Sequence, residues 1–354
     1  MVAYKFNHVC IESWGLNTPP HQVTSAELED KLSPLYQRLE IPFGTLEKLT
    51  AIKTRYFWDK SVRPSQAATV AARTALDGIG FAREHIQALF SCSVTRDYFE
   101  PAVAALVHGA LELDERAVTM DISNACIGFS NGLLTLANLI ETGVVKAGVV
   151  VSAETVSTII DSTVTHLLKN QDITRDMLLR ILPTFTLGCG AASMVLCHES
   201  IATRGHKLKG AVSRSATQHS ELCVGNGDFC AAMSDSGLTP IMQTDSQLII
   251  SSAAKLGGRI WPDASKSFGW TADDIQHIFC HQVGKQINGA FYREMGLPQE
   301  KEFIVYPRYG NQVSAALPTA FVTGITEKPL NSGDKVLFTA FGSGLNGIFT
   351  AIQW

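Results

Sequence analysis

Apolar positions along the chain fall into two patterns. Short apolar runs of strand length recur at 87–93, 117–122, 146–152, 192–197, 277–281 and 335–340. Between them, helix-like segments cover 65–79, 102–111, 124–142, 246–260, 284–295 and 314–324. Runs without polar alternation read as strands buried on both faces, and the intervening segments as helices that cover them. Strands separated by helices predict an α/β fold. The length of 354 residues suits two units, and no low-complexity stretch or long linker interrupts it. The division is placed between 1–175 and 176–354.

The two halves look alike. Segment 84–94 reads EHIQALFSCSV and segment 273–283 reads DDIQHIFCHQV. Both carry an acidic residue two places before Ile-Gln, then Phe three residues beyond the Gln. In each half a helix opening with a polar or thiol residue is expected, Cys126 in one and Asn311 in the other. Each helix runs to a glycine turn, Glu141-Thr142-Gly143 or Asn331-Ser332-Gly333, and a further apolar strand. Chance likeness of strand–helix units is the plainer reading, but the shared order favours duplication. Duplicated halves would bring Cys126, His281 and Asn311 to related places around one site.

Composition narrows the function. The chain is 45% hydrophobic and 18% charged, with a net charge of −4, which excludes a broadly basic nucleic-acid-binding face. No apolar run is long enough to cross a bilayer, and the first ten residues do not read as a signal peptide. The eight cysteines show no CxxC pair and no zinc-ligand spacing, so free thiols in a reducing, cytoplasmic compartment are expected.

The segment AVTMDISNACIGFSNGLLTLANLIETG is the most informative. A strand runs into Asn124-Ala125-Cys126, and a helix is expected from there. Gly128 and Gly132 stand at i, i+4, and glycine costs roughly 1 kcal/mol inside a helix, so close backbone approach is implied. A thiol at a helix start meets the positive end of the dipole, which predicts a lowered pKa. Free N–H groups there can receive an oxyanion. Most cysteines are inert core residues, but this strand–turn–helix setting makes Cys126 a candidate nucleophile. His281, at a strand end in IFCHQVGKQ, can act as acid, base or donor. Asn311, in YGNQVSAALPTA, has an amide that can donate without titrating. The ending AFGSGLNGIFT adds a glycine-rich loop between two strands, whose backbone can approach a substrate.

NACIG at 124–128, His281-Gln282, GNQVSAALP at 310–318 and FGSGLNG at 341–347 together resemble the thiolase superfamily. The similarity is to its type III 3-oxoacyl-[acyl-carrier-protein] synthase branch. The resemblance implies a five-layer αβαβα fold of two duplicated halves and a homodimer. It implies that Cys126 takes an acyl group from a coenzyme A or carrier-protein thioester. The backbone N–H groups of Cys126 and of Gly344 would form an oxyanion hole. His281 and Asn311 would hold a second thioester for Claisen attack, giving a β-keto product. No metal or redox cofactor is implied; coenzyme A or phosphopantetheine enters as part of the substrate.

Glu100, in SVTRDYFEPA, resembles the carboxylate of the subgroup that joins two long acyl chains head to head. There it comes from the partner subunit and takes an α-proton. The plainer reading is that Glu100 caps the helix after Pro101. Typical relatives read His-Gln-Ala-Asn followed by a basic residue that docks acidic carrier protein. Here Val283-Gly284-Lys285-Gln286 departs from that pattern, which puts carrier-protein docking in doubt. Lys255 and Arg259, at i, i+4 on a predicted helix, could offer a basic patch instead, although an exposed solvated face is the plainer reading. Arg55 matches a family arginine near the pantetheine entrance, as a substrate-binding candidate. The apolar stretch 177–187 suits an acyl tunnel, a dimer interface or plain core. Two rivals stand beside condensation: transfer of the acyl group to another nucleophile, and a non-catalytic partner subunit.

Overall fold

The fold is described from a computed structural model, which covers residues 2–225 and 241–354. Fourteen strands are present among them: β1 (Val2–Lys5), β2 (Val9–Asn17), β3 (His21–Thr24), β4 (Thr54–Phe57), β5 (Ile86–Ser91), β6 (Val118–Asp121), β7 (Ala147–Glu154), β8 (Gly190–His198), β9 (Lys207–Ser215), β10 (Cys223–Gly225), β11 (Met242–Thr244), β12 (His277–Cys280), β13 (Lys335–Gly342) and β14 (Asn346–Gln353). The six apolar runs became β5, β6, β7, β8, β12 and β13. The expected helices lie at Pro64–Asp77, Val103–Leu111, Gly128–Glu141, Ser246–Phe268, Lys285–Met295 and Ala316–Glu327. Ser246–Phe268 runs past its expected end and through Pro262, stopping where Gly269 turns left-handed at φ 66°.

The strands order as β12-β13-β14-β9-β2-β8-β7-β5-β6, with β1 beside β9. Two sets repeat one plan. β5 runs parallel to β7, which is antiparallel to β8, itself antiparallel to β2. β12 runs parallel to β13, which is antiparallel to β14, itself antiparallel to β9. The sets meet through β2 and β9, where Cys10 pairs with Lys207. β8 completes the first set, so the strand sets change between His198 and Lys207, later than the 175/176 division read from sequence. The repeated Ile-Gln does the same thing twice. Gln87 Oε1 accepts the Lys146 N–H at 2.7 Å, and Gln276 Oε1 accepts the Lys335 N–H at 2.8 Å. Each bond spans 59 residues.

β7 and β8 are buried along nearly their whole length, as their unbroken apolar character requires. The helix Gly128–Glu141 packs so closely on β5's end that a Cβ on Gly128 would lie 2.5 Å from Cys92 O, and one on Gly132 2.3 Å from Cys92 Sγ. The close approach expected from the glycine pair is thus met at a neighbouring strand end. Among the described residues no helix is long and apolar enough to cross a membrane.

Candidate active site

The site is built at the ends of β7, β12 and β13, where chain turns leave the sheet. Cys126 stands between Ala125, held left-handed at φ 46°, and Ile127, the N-cap of Gly128–Glu141. A non-glycine residue in that conformation is strained, so the surroundings must hold the turn. Ile127 N–H donates to Asn124 O and Gly128 N–H to Ala125 O, both at 3.2 Å. Cys126 therefore precedes the helix rather than lying in it, which corrects the expected helix start at 124. The residue as a whole is partly exposed. Its expected low pKa is also corrected: burial pushes the Cys126 thiol up, and Cys223 and the Glu154 carboxylate push the same way. Desolvation is the largest of these causes. The other described cysteines are free as well, and Cys230 lies outside the described residues.

His281 follows β12 directly. Its N–H donates to Thr339 O at 2.9 Å, continuing the ladder with β13. It is 3% exposed, and burial lowers its pKa to about 4. The imidazole is neutral at pH 7, and Nδ1 is buried without a partner. Asn311 is held through its backbone: its N–H donates to Thr186 O at 2.8 Å, and its carbonyl accepts from Gly188 N–H at 2.9 Å. Its Oδ1 accepts from Val313 N–H at 2.9 Å, which makes Nδ2 the donor end of the amide. Close passage of the two segments requires glycine at both sides. A Cβ on Gly188 would lie 2.4 Å from Tyr309 O, and one on Gly310, at φ 67°, 2.7 Å from Thr186 O.

The terminal loop reaches the nucleophile turn through Gly342, where a Cβ would lie 3.2 Å from Ile127 N. Gly344 is left-handed at φ 130° and neighbours Asn346. Glu154, at the end of β7, is a buried residue near the site that the sequence reading did not single out. It is wholly buried and accepts from Val94 N–H at 2.9 Å, Thr95 N–H at 3.0 Å, Thr95 Oγ1 at 2.9 Å and the Ser314 hydroxyl. Desolvation raises its pKa against those donors. One carboxylate thus ties the loop leading to Glu100 to the turn after Asn311, with its charge felt at Cys126. Its signal in the sequence was a lone acid closing the apolar strand VVVSAE.

Two candidates are placed elsewhere. Arg55 is fully buried, its Nη2 donating to Phe185 O at 2.9 Å and Ser25 Oγ at 3.1 Å, and desolvation lowers its pKa to about 10. The expected place at a substrate entrance is corrected, because every atom of Arg55 is enclosed by β4, the 182–188 segment and Gly310. Glu100 lies on an exposed loop with Tyr98 and Phe99, the latter 75% exposed. It is not the cap of Val103–Leu111. That helix start is held by Asp121, which accepts Val103 N–H at 2.9 Å and Ala104 N–H at 2.8 Å. Lys285, Gln286, Lys255 and Arg259 are exposed. In the 177–187 stretch, Leu178, Ile181, Leu182, Phe185 and Leu187 are core, whereas Met177 and Leu179 are exposed.

Comparison with known proteins identifies the family. Residues 120–215 match the model of 3-oxoacyl-[acyl-carrier-protein] synthase III, and residues 266–354 match its C-terminal model. The acyl-CoA:acyl-CoA alkyltransferase of Xanthomonas campestris is 32% identical over 349 residues, 99% of each chain. The acyl-CoA:acyl-CoA alkyltransferase of Shewanella oneidensis is 34% identical over 359 residues, 99% of this chain and 100% of that one. A crystal structure of a Cys-to-Ser variant of Xanthomonas campestris OleA, with bound lauric acid and lauroyl-CoA, superposes with a TM-score of 0.91 at 32% identity, covering 99% and 100%. The cerulenin-bound form gives 0.92 at 32% identity, covering 99% and 98%. The chain belongs to the thiolase-fold 3-oxoacyl synthase III family, in its OleA-like branch, and is an acyl-transferring condensing enzyme.

Proposed function

We propose that this enzyme joins two medium- or long-chain acyl-CoA thioesters head to head, with Cys126 as the acyl carrier. The observations that support the reading are that β13 meets both the turn after Cys126, through Gly342 beside Ile127, and His281, through Thr339 O, and that Glu154 links the turn after Asn311 to the surroundings of Cys126. In the first step the Cys126 sulfur attacks the donor carbonyl. Its proton passes to the departing coenzyme A sulfur as the donor's C–S bond breaks. The backbone N–H groups of Cys126 and Gly344 receive the oxyanion. A raised thiol pKa means that Cys126 rests protonated and ionises only as it attacks.

In the second step His281 and Asn311 donate hydrogen bonds to the carbonyl oxygen of the acceptor thioester. A proton leaves its α-carbon to Glu100 of a second copy of the chain. The enolate attacks the Cys126 thioester, the C–S bond breaks, a β-keto acyl-CoA leaves, and the proton held by Glu100 passes to the Cys126 thiolate, which restores both groups. This polar chemistry needs no cofactor beyond the coenzyme A of the substrates. A homodimer is supported by β6, an edge strand that exposes Val118 and Met120, and by the projecting loop with Tyr98, Phe99 and Glu100. An exposed Gln286, where carrier-docking relatives are basic, favours coenzyme A over carrier protein. A cytoplasmic site of action suits free thiols.

The test is intact-protein mass after incubation with acyl-CoA thioesters of graded length, for wild type and Cys126→Ala. An acyl adduct on wild type alone, followed by β-keto product, is the expected result. Product from the Cys126→Ala protein would refute the covalent route.

A further inference from the structure

Behind the site lies a knot of buried polar side chains that the reaction does not touch. Gln282 follows His281 in the chain and is 0% exposed. All its hydrogen-bonding capacity goes to the strap 302–306, through three backbone groups and one side-chain oxygen. Nε2 donates to Phe303 O at 2.6 Å and Glu302 Oε1 at 3.1 Å. Oε1 accepts Val305 N–H at 2.7 Å and Tyr306 N–H at 3.0 Å. Glu302 Oε1 also accepts from Asn288 Nδ2 at 2.8 Å, and Asn288 lies, fully buried, on Lys285–Met295. The strap runs beside β12 through Phe303 N–H to Ile278 O at 3.1 Å. At Tyr306 it enters the short helix Tyr306–Tyr309, whose end is closed by Gly310 N–H to Tyr306 O at 2.9 Å. The next residue is Asn311.

Gln282 therefore has His281 as its chain neighbour at one end and caps, at the other, the turn that delivers Asn311. An amide with two donors and a doubly accepting oxygen suits this, and no apolar residue could replace those four bonds. We infer that Gln282, held in place by Glu302 and Asn288, is a positioning residue that sets His281 against Asn311 for condensation and takes no part in acylation of Cys126. This rests on assigning His281 and Asn311 to the acceptor thioester. A misplacement of about 1 Å costs on the order of 100-fold in rate.

The experiment separates the half-reactions. Adduct formation on Cys126 is followed by mass, and β-keto product by turnover, for Gln282→Met, Glu302→Leu, Glu302→Gln and Asn311→Ala. Gln282→Met and Glu302→Leu are expected to acylate within about twofold of wild type while condensation falls about 10- to 100-fold. Glu302→Gln, which keeps the accepting oxygen, is expected to restore condensation. Normal acylation certifies that each variant is folded. Equal loss of both half-reactions, or no selective loss, would overturn the inference. Unimpaired condensation by Asn311→Ala would instead overturn the assignment beneath it.

Discussion

The two halves bend the chain in the same way at two places and use the bends differently. In the first, left-handed Ala125 precedes Cys126, and a helix begins at Gly128. In the second, left-handed Val313 at φ 52° precedes Ser314, and a helix begins at Ala316. The counterpart of Cys126 is thus Ser314, and Asn311 falls three residues before it. This corrects the pairing of Cys126 with Asn311 read from the sequence. Each bend is met by the end of an eight-residue strand from the other half: β13 ends at Gly342 against Ile127, and β7 ends at Glu154 against Ser314. Cys126 is left partly exposed, whereas Ser314 is buried between Glu154 and Ser152. Duplication supplied two equal scaffolds; the residue waiting opposite decided which became reactive and which became a fastening.

The largest expected effect tests that asymmetry directly. Cys126→Ala should lower turnover by at least about 1000-fold, read by product formation. Ser314→Ala should keep its acyl adduct. An adduct carried by residue 314 in any variant would break the comparison. Next, Glu154→Ala strips four donors of their acceptor and should destabilise the fold by about 2–4 kcal/mol in a denaturant titration. A neutral result would show that the second bend is not fastened as described.

A third expectation concerns the buried acid of the second half. Glu302 is pushed up to about 8 from an ordinary value near 4.5, chiefly by burial, against donors on Asn288 and Gln282. The groups facing it are Cys280 from β12, Tyr292 from Lys285–Met295 and Tyr306 from the strap helix. Between these two pH values the unfolded chain has released the proton and the folded chain still holds it. Stability therefore falls as pH rises from about 4.5 to about 8, by a few kcal/mol, and levels off above. Melting temperature against pH should show this slope in wild type and a flatter one in Glu302→Gln; parallel curves would refute it. The smallest effect sharpens the likeness instead. Gln87→Ala and Gln276→Ala remove the same bond from each half, so each should cost about 1 kcal/mol, adding in the double variant.

Much of this was open to reading along the chain. An Ile-Gln pair repeated in order fixed which strands correspond, and the i, i+4 glycines announced a helix pressed on a strand end. β2 escaped notice because Glu12 and Ser13 lie in it. Both are buried, and their partners come from elsewhere: Glu12 accepts from Gly80 N–H at 3.1 Å and Thr203 N–H at 2.9 Å, and Ser13 donates to Ala75 O at 2.6 Å. A strand whose polar residues are satisfied at long range carries no apolar period of its own.

The same distinction separates what each level decided. Local pattern determined the class of fold, its duplication and the nucleophile, because periodicity, glycine spacing and a thiol at a turn are properties of neighbouring residues. Tertiary structure alone decided the state of those groups. Burial reversed the expected ionisation of Cys126, enclosed Arg55, left Glu100 outward and gave Glu154 and Gln282 their places. Desolvation and hydrogen bonding depend on which distant segments close around a side chain, and that is set only when the two halves meet.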